Sequence, residues 1–185
     1  DANGIDHFRG HQKISEELAG GILRRLKFDN ETIRQVKKLV SCHDDHPART
    51  PAGVRRAVNR IGTDLFPMYL KVQRADIMAQ NPATREDKLA KLYVVTELYE
   101  QILKEKDCVT LKQMVITGRD LMMEGIPAGP GLGEVLSKLL DLVIEDPKRN
   151  EKTWLLAKAK EIYKASRELF PRRFFCAIFI HFLIR

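Results

Sequence analysis

Apolar side chains recur three and four residues apart through most of the chain, which is the spacing of one face of an α-helix. Helical stripes of this kind run over about 14–26, 33–43, 54–61, 65–79, 89–103, 135–143 and 154–165. Strand-like alternation is missing over any useful length, so the predicted fold class is all-α. A long helix over about 83–106 is expected to connect two helical lobes.

Polar residues mark where several of these helices begin. Thr50-Pro51 has an N-cap followed by proline at the first helical position. Thr110 with Gln113, and Thr117 with Asp120, have the spacing of a capping box, which predicts two short helices. Asn150 is expected to cap the last helix.

Composition and charge narrow the class of protein. The 185 residues are 44% hydrophobic and 31% charged, which is typical of a soluble globular protein rather than a disordered one. The net charge of +7 favours polyanionic partners such as nucleic acid. Cys42, Cys108 and Cys176 are far apart, which argues against a disulfide framework or a zinc ribbon and suits the cytoplasm.

The two ends of the chain bear on its location and completeness. The first ten residues lack a signal peptide pattern. The one markedly apolar segment, 174–184, is shorter than the roughly 20 residues that span a bilayer, so no membrane association is expected. Because the chain starts with Asp1 rather than Met, we expect residues upstream.

Histidine and aspartate residues on several segments form the first candidate site. His7 and His11 flank a glycine, His43-Asp44 ends the second predicted helix, and Asp76 lies on an apolar helical stripe. Neutral imidazoles and ionised carboxylates that converge can bind a divalent metal or a phosphate. A histidine at a helix C-terminus is also favoured by the helix dipole, and acidic residues after a helix often form a solvated turn.

A glycine-rich loop and a set of basic side chains form the second candidate site. Pro127 to Gly133 opens a helix, and glycines there let backbone N–H groups approach a phosphate. No Lys-Ser/Thr follows, so the segment is not a nucleotide P-loop, and a plain tight turn is the alternative. Arg55 and Arg56 avoid the apolar stripe, so we expect them to be exposed and available to phosphates, or merely solvated.

Several motifs together resemble the HD-domain and C-terminal RNA-binding segment of bacterial class II tRNA nucleotidyltransferases, the CCA-adding enzymes of the poly(A) polymerase family. The resemblance covers roughly residues 1–160 in the expected order. Its segments are Asp1 to His11, Ile22 to Asn30, Leu39-Val-Ser-Cys-His-Asp44, Arg55 to Gly62, Val72 to Ala79, and Ile116 to Gly133.

The resemblance implies a division of the chain and a set of site residues. Residues 1–82 would be a partial HD-like helical domain, 83–170 an RNA-binding helical body and tail, and 171–185 a divergent apolar tail. The later HD motif positions imply a partial metal or phosphate site at His11, His43 and Asp76, with His7 and Asp44 beside it. The implied RNA-binding residues are Gly129, Gly131, Gly133, Arg119, Arg55 and Arg56.

The resemblance also implies the activity of a parent protein. That protein would add CMP and AMP from CTP and ATP to tRNA 3′ ends, with Mg²⁺ held by a polymerase head outside this segment. No complete catalytic set is visible in the chain itself, and the leading His-Asp dyad of an HD domain is missing. An HD-type metal-dependent phosphohydrolase acting on cyclic or terminal phosphates is the alternative, and a helical scaffold without activity is a third.

Overall fold

The computed structural model describes residues 11–169, without the side chains of residues 11, 168 and 169. Within that range every regular element is helical, which confirms the predicted all-α class. The α-helices are α1 (His11–Arg25), α2 (Asn30–Cys42), α3 (Pro51–Ile61), α4 (Phe66–Ala79), α5 (Arg85–Glu105), α6 (Gly118–Met123), α7 (Pro130–Glu145) and α8 (Lys152–Leu169). Short 3₁₀ turns lie at Pro82–Thr84, Leu111–Gln113 and Pro147–Arg149.

The predicted helix starts are largely confirmed. The Thr50 hydroxyl accepts the Gly53 N–H at 3.1 Å ahead of α3, and both capping boxes are present. The first capping box opens a 3₁₀ turn rather than an α-helix. The prediction for Asn150 is wrong, because Glu151 accepts the first free N–H groups of α8 while the Asn150 amide bonds the backbone of Gln113.

The chain divides into two compact units, residues 1–107 and 108–185. In the first unit, the stripe of α3 is buried as predicted, and α5 packs against both α3 and α4. The ring of Phe66 lies 5.3 Å from Tyr69 and 4.7 Å from Tyr99, centroid to centroid. The contacts of α5 with α3 and α4 place this helix in the first unit, so the predicted division at 82/83 falls inside that unit.

The first helix behaves differently from the others. It packs against α2, where Gly20 is buried beside the aliphatic part of Lys37. Its apolar stripe, however, is largely exposed: Ile14 by 62%, Leu18 by 61% and Ile22 by 47%. The stripe therefore contributes little to the core of this unit.

The second unit is built on α6, α7 and α8. Its centre is formed by fully buried aliphatic side chains, among them Leu121, Leu139, Val143 and Leu155. None of the described helices in either unit combines the length and the apolar character needed to cross a membrane. The apolar segment 174–184 lies outside the described residues.

Candidate functional site

A cavity of about 340 Å³ lies within the first unit, between the loop that follows α2 and the facing sides of α4 and α5. Each helix contributes side chains at three- and four-residue spacing, so one face of each helix lines the cavity. The lining residues are Asp44, His46, Pro47 and Arg49 from the loop, Tyr69, Gln73, Asp76 and Ile77 from α4, Gln80 directly after it, and Lys88, Lys91, Leu92 and Val95 from α5.

Hydrogen bonds from α4 hold the loop in place. The Tyr69 hydroxyl donates to the Asp45 carbonyl, and the buried Gln73 amide donates to the carbonyls of His43 and Asp45. Arg60 pairs with the Asp45 carboxylate at 2.9 Å. Burial, together with the nearby Asp45 charge, raises the pKa of Tyr69 above its usual value, so the hydroxyl remains a donor at neutral pH.

Two of the predicted site carboxylates meet at this cavity. Asp44 and Asp76 both line it, and Asp76 Oδ2 accepts the Gln80 side-chain amide at 2.5 Å. His43 lies just outside the lining, with Nδ1 2.7 Å from the Val40 carbonyl and Nε2 3.6 Å from Asp44 Oδ1. The Val40 contact ties the imidazole to the C-terminal turn of α2, as expected for a histidine that interacts with a helix end.

The predicted metal site stays a prediction. Among the described residues, no three His, Cys, Asp or Glu side chains are grouped so as to hold a metal ion. His7 and the side chain of His11 lie outside the described part of the chain. Asp44 and Asp76 could supply oxygen ligands, but the Mg²⁺ expected from the resemblance would be held elsewhere in a parent protein.

The glycine-rich segment of the second unit is partly helical, which corrects its prediction as a loop. Because α7 begins at Pro130, Gly131 and Gly133 lie in its first turns. Gly129 is the N-cap residue, and its φ of 141° is a conformation that favours glycine. A Cβ atom at any of these three glycines would meet nothing within 4 Å in the described structure. The start of α7 is therefore an open backbone surface.

The helix that contains Arg119 packs against the start of α7. A Cβ atom on the preceding residue, Gly118, would stand 3.1 Å from the Leu132 side chain, so the start of α6 packs on the first turn of α7. Arg119 itself is exposed and has no ion pair within the described part of the chain. Three of the predicted RNA-binding residues, Gly129, Gly131 and Gly133, therefore lie at the start of α7, and Arg119 lies in the helix that packs on it.

The prediction that Arg55 is exposed is wrong. Its guanidinium lies 2.9 Å from the Asp107 carboxylate, and the side chains of both residues are only 7% exposed. The spacing of α3 places Arg55 at the edge of the buried stripe, and its partner is 52 residues away, so local sequence does not reveal the pair. Arg56, the next residue, is exposed as predicted.

Three cationic residues of the cavity were not singled out from the sequence. Lys88 and Lys91 share a face of α5 with Leu92 and Val95. The only indication in the sequence that these lysines lie near apolar residues is this helical spacing. Arg49 lies in the loop after His43-Asp44, and its sequence context has no distinguishing pattern.

Comparison with known proteins identifies the family. Residues 7–159 match the family described as tRNA nucleotidyltransferase domain 2. The chain is also similar to an A-adding tRNA nucleotidyltransferase of Deinococcus radiodurans, with 29% identity over 136 residues. That alignment covers 72% of this chain and 31% of the relative, so the chain spans about a third of the length of the relative that it matches.

No solved structure matches the chain. The family match extends over most of the sequence and includes both helical units, in agreement with the resemblance noted from the motifs. The chain belongs to the tRNA nucleotidyltransferase domain 2 family.

Proposed function

We propose that this chain is the tRNA-binding portion of an enzyme that adds nucleotides to tRNA 3′ ends. The observation that carries the proposal is the family match over residues 7–159. The whole protein would transfer CMP and AMP from CTP and ATP, with Mg²⁺ at the polymerase site. The relative is named an A-adding enzyme, and AMP transfer is the step common to A addition and CCA addition.

The open start of α7 supports a phosphate contact in the second unit. The first N–H groups of a helix lack intrahelical acceptors, and the helix dipole favours an anion there. Pro130 has no N–H, so Gly131 supplies the first donor, and the glycines leave room for a phosphate to approach the backbone. Arg119, exposed on the helix that packs on the first turn of α7, is proposed as a further phosphate contact.

The net charge of +7 supports the same interpretation, because a basic protein attracts a polyanion at long range. Arg56, exposed on α3, stays a predicted RNA contact of the first unit. Arg55 is not among the proposed RNA contacts, because opening its buried ion pair would leave the Asp107 carboxylate without its cation.

A binding experiment with tRNA tests the proposal. We expect Arg119→Ala to weaken tRNA binding and to reduce the slope of log affinity against log salt by about one unit, as removal of one phosphate contact does. Lys138→Ala is the matched control, because Lys138 is exposed on the same unit but eight residues into α7, roughly 12 Å along the axis. Equal effects of the two substitutions would contradict a phosphate contact at the start of α7.

The cavity of the first unit favours a second candidate, the metal-dependent phosphohydrolase. Asp44 and Asp76 line one cavity, as a hydrolytic site built on these carboxylates requires. The purified chain should then contain a divalent metal and hydrolyse bis(p-nitrophenyl) phosphate, and Asp76→Asn should abolish both properties. A chain that binds no added Mn²⁺ or Zn²⁺ and shows no hydrolysis would remove this candidate.

A further inference from the structure

The cavity between α4 and α5 has an apolar floor and a charged rim. Tyr69, Ile77 and Val95 are buried, with exposed fractions of 1%, 7% and 5%. Arg49 and Lys91 are exposed at the rim. The lining therefore combines an apolar floor with positive charge at the rim, and a site for an organic anion needs both.

The two cations of the rim differ in their ion pairs and hydrogen bonds. Arg49 forms no ion pair or hydrogen bond with any residue that the structure describes. Lys91 pairs with Asp87 one helical turn earlier, but both side chains are largely exposed, and exposed pairs of this spacing are weak. Both cations are therefore available to an incoming anion.

Lys88 has a different role, because it belongs to a connected chain of polar groups. Its ammonium donates to the side-chain oxygen Oε1 of Gln80, and the side-chain nitrogen Nε2 of Gln80 donates to Asp76. This chain links α5 to α4 across the cavity and orients the Asp76 carboxylate. Asp76 is half-buried and remains ready to accept a further hydrogen bond with its other oxygen.

The mixture of charges selects the class of ligand. A free phosphate would be attracted by Arg49 and Lys91 but repelled by the carboxylates of Asp44 and Asp76, and would leave the apolar floor uncovered. A nucleotide carries a phosphate for the cations, hydroxyl and amino donors for the carboxylates, and an aromatic base for the floor. The volume of about 340 Å³ is near the lower end of typical ligand pockets, which suits one nucleotide rather than an oligonucleotide.

We propose that this cavity binds a single nucleotide, with its phosphate at Arg49 and Lys91 and its sugar or base at Asp76. The nucleotide is either free or the terminal residue of an RNA strand, since both present the same groups. The inference goes beyond the tRNA contact proposed for the second unit, and it requires no metal.

Isothermal titration calorimetry of the full chain in low salt with EDTA tests the proposal, with AMP, adenosine and inorganic phosphate as separate probes. We expect AMP to bind at least tenfold more tightly than either adenosine or phosphate. Arg49→Ala and Lys91→Ala should each weaken AMP binding about tenfold, as expected for loss of one charge-assisted contact. Exposed residues outside the cavity on α4 provide matched controls, Arg74→Ala and Lys71→Ala, which should leave the affinity unchanged.

Absence of AMP binding, or equal losses in the cavity and control variants, would overturn the proposal. So would AMP binding no tighter than that of inorganic phosphate, because the apolar floor and the carboxylates would then have no part in recognition. A short single-stranded RNA ending in adenosine, titrated in competition with AMP, identifies the source. Displacement of AMP supports binding of an RNA terminus, and failure to displace it supports a free nucleotide.

Discussion

Replacing Arg55 with alanine should destabilise the first unit much more than the same change at the neighbouring Arg56. Arg55 and Asp107 have side chains that are only 7% exposed and atoms 2.9 Å apart, so the substitution leaves a buried carboxylate without its cation. Breaking a buried pair in this way costs roughly 3–5 kcal/mol, a large part of the roughly 5–15 kcal/mol that stabilises a typical domain. Arg56 is exposed, and exposed polar interactions are weak, so its replacement should cost less than about 1 kcal/mol.

Urea denaturation followed by far-UV circular dichroism measures both variants. The single tryptophan, Trp154, lies in the second unit, so its fluorescence recorded in the same samples reports that unit separately. A double variant, Arg55→Met with Asp107→Leu, should recover most of the lost stability, because it removes the unpaired charge along with its partner. The reasoning would be refuted by a loss below about 1 kcal/mol in Arg55→Ala, or by equal losses at positions 55 and 56.

Two further predictions concern the second unit. Gly131→Ala should stabilise the protein by roughly 0.4–1 kcal/mol, because the added Cβ would meet open space in a helical turn. The same change should weaken tRNA binding, because the Cβ would fill the space proposed for a phosphate. Thermal unfolding measures the first effect and filter binding the second, and unchanged tRNA binding would count against the phosphate contact. The Lys152 ammonium and the Thr117 hydroxyl and N–H hold the pKa of Asp120 well below its usual value near 3.8. The ionised form therefore stabilises the fold above about pH 4, and that contribution is lost as the pH falls through the lowered pKa. Asp120→Asn should reduce the loss of stability on acidification from about pH 5 to pH 2, and an unchanged profile would show that the pair contributes nothing.

Local chemistry accounts for the parts of the fold that were predicted correctly. The Thr50-Pro51 start of α3 and the two capping boxes depend on residues three positions apart, so the sequence alone contains the whole interaction. The stripe of α3 was also predicted, because burial of one helical face follows from its periodicity. The type of helix was harder to predict, because a capping box precedes both kinds, and the capping box at Thr110 opens a 3₁₀ turn rather than an α-helix.

Features that depend on residues far apart in the chain could not be predicted from local sequence. Arg55 has the sequence context of an exposed basic residue, and only the fold brings Asp107 to it. The stripe of α1 has the periodicity of a core helix, but periodicity does not show how much apolar surface lies opposite it, and Ile14 and Leu18 remain exposed. The placement of α5 with α3 and α4 is likewise decided by packing rather than by the length of the helix.

The candidate sites stay predictions, but the structure shows where the residues selected from the sequence lie. The sequence selected Asp44 and Asp76, which line one cavity, and it selected Arg119 and the glycines at the start of α7. The cations of the cavity were missed, because isolated lysines and arginines on a helix have no signature until a second helix faces them. The HD-like site as a whole stays a prediction, because two of its expected members, His7 and the side chain of His11, lie outside the described part of the chain.

The central claim, that this chain binds tRNA through its phosphates, is tested most directly by filter binding of tRNA to the purified chain over a series of salt concentrations. Each phosphate contact should contribute about −0.7 to −0.9 to the slope of log affinity against log salt. With Arg119 and the start of α7 both engaged, we predict a slope steeper than about −1.5, and a flatter slope in Arg119→Ala. Binding that does not change with salt, or no binding of tRNA at low salt, would contradict the claim.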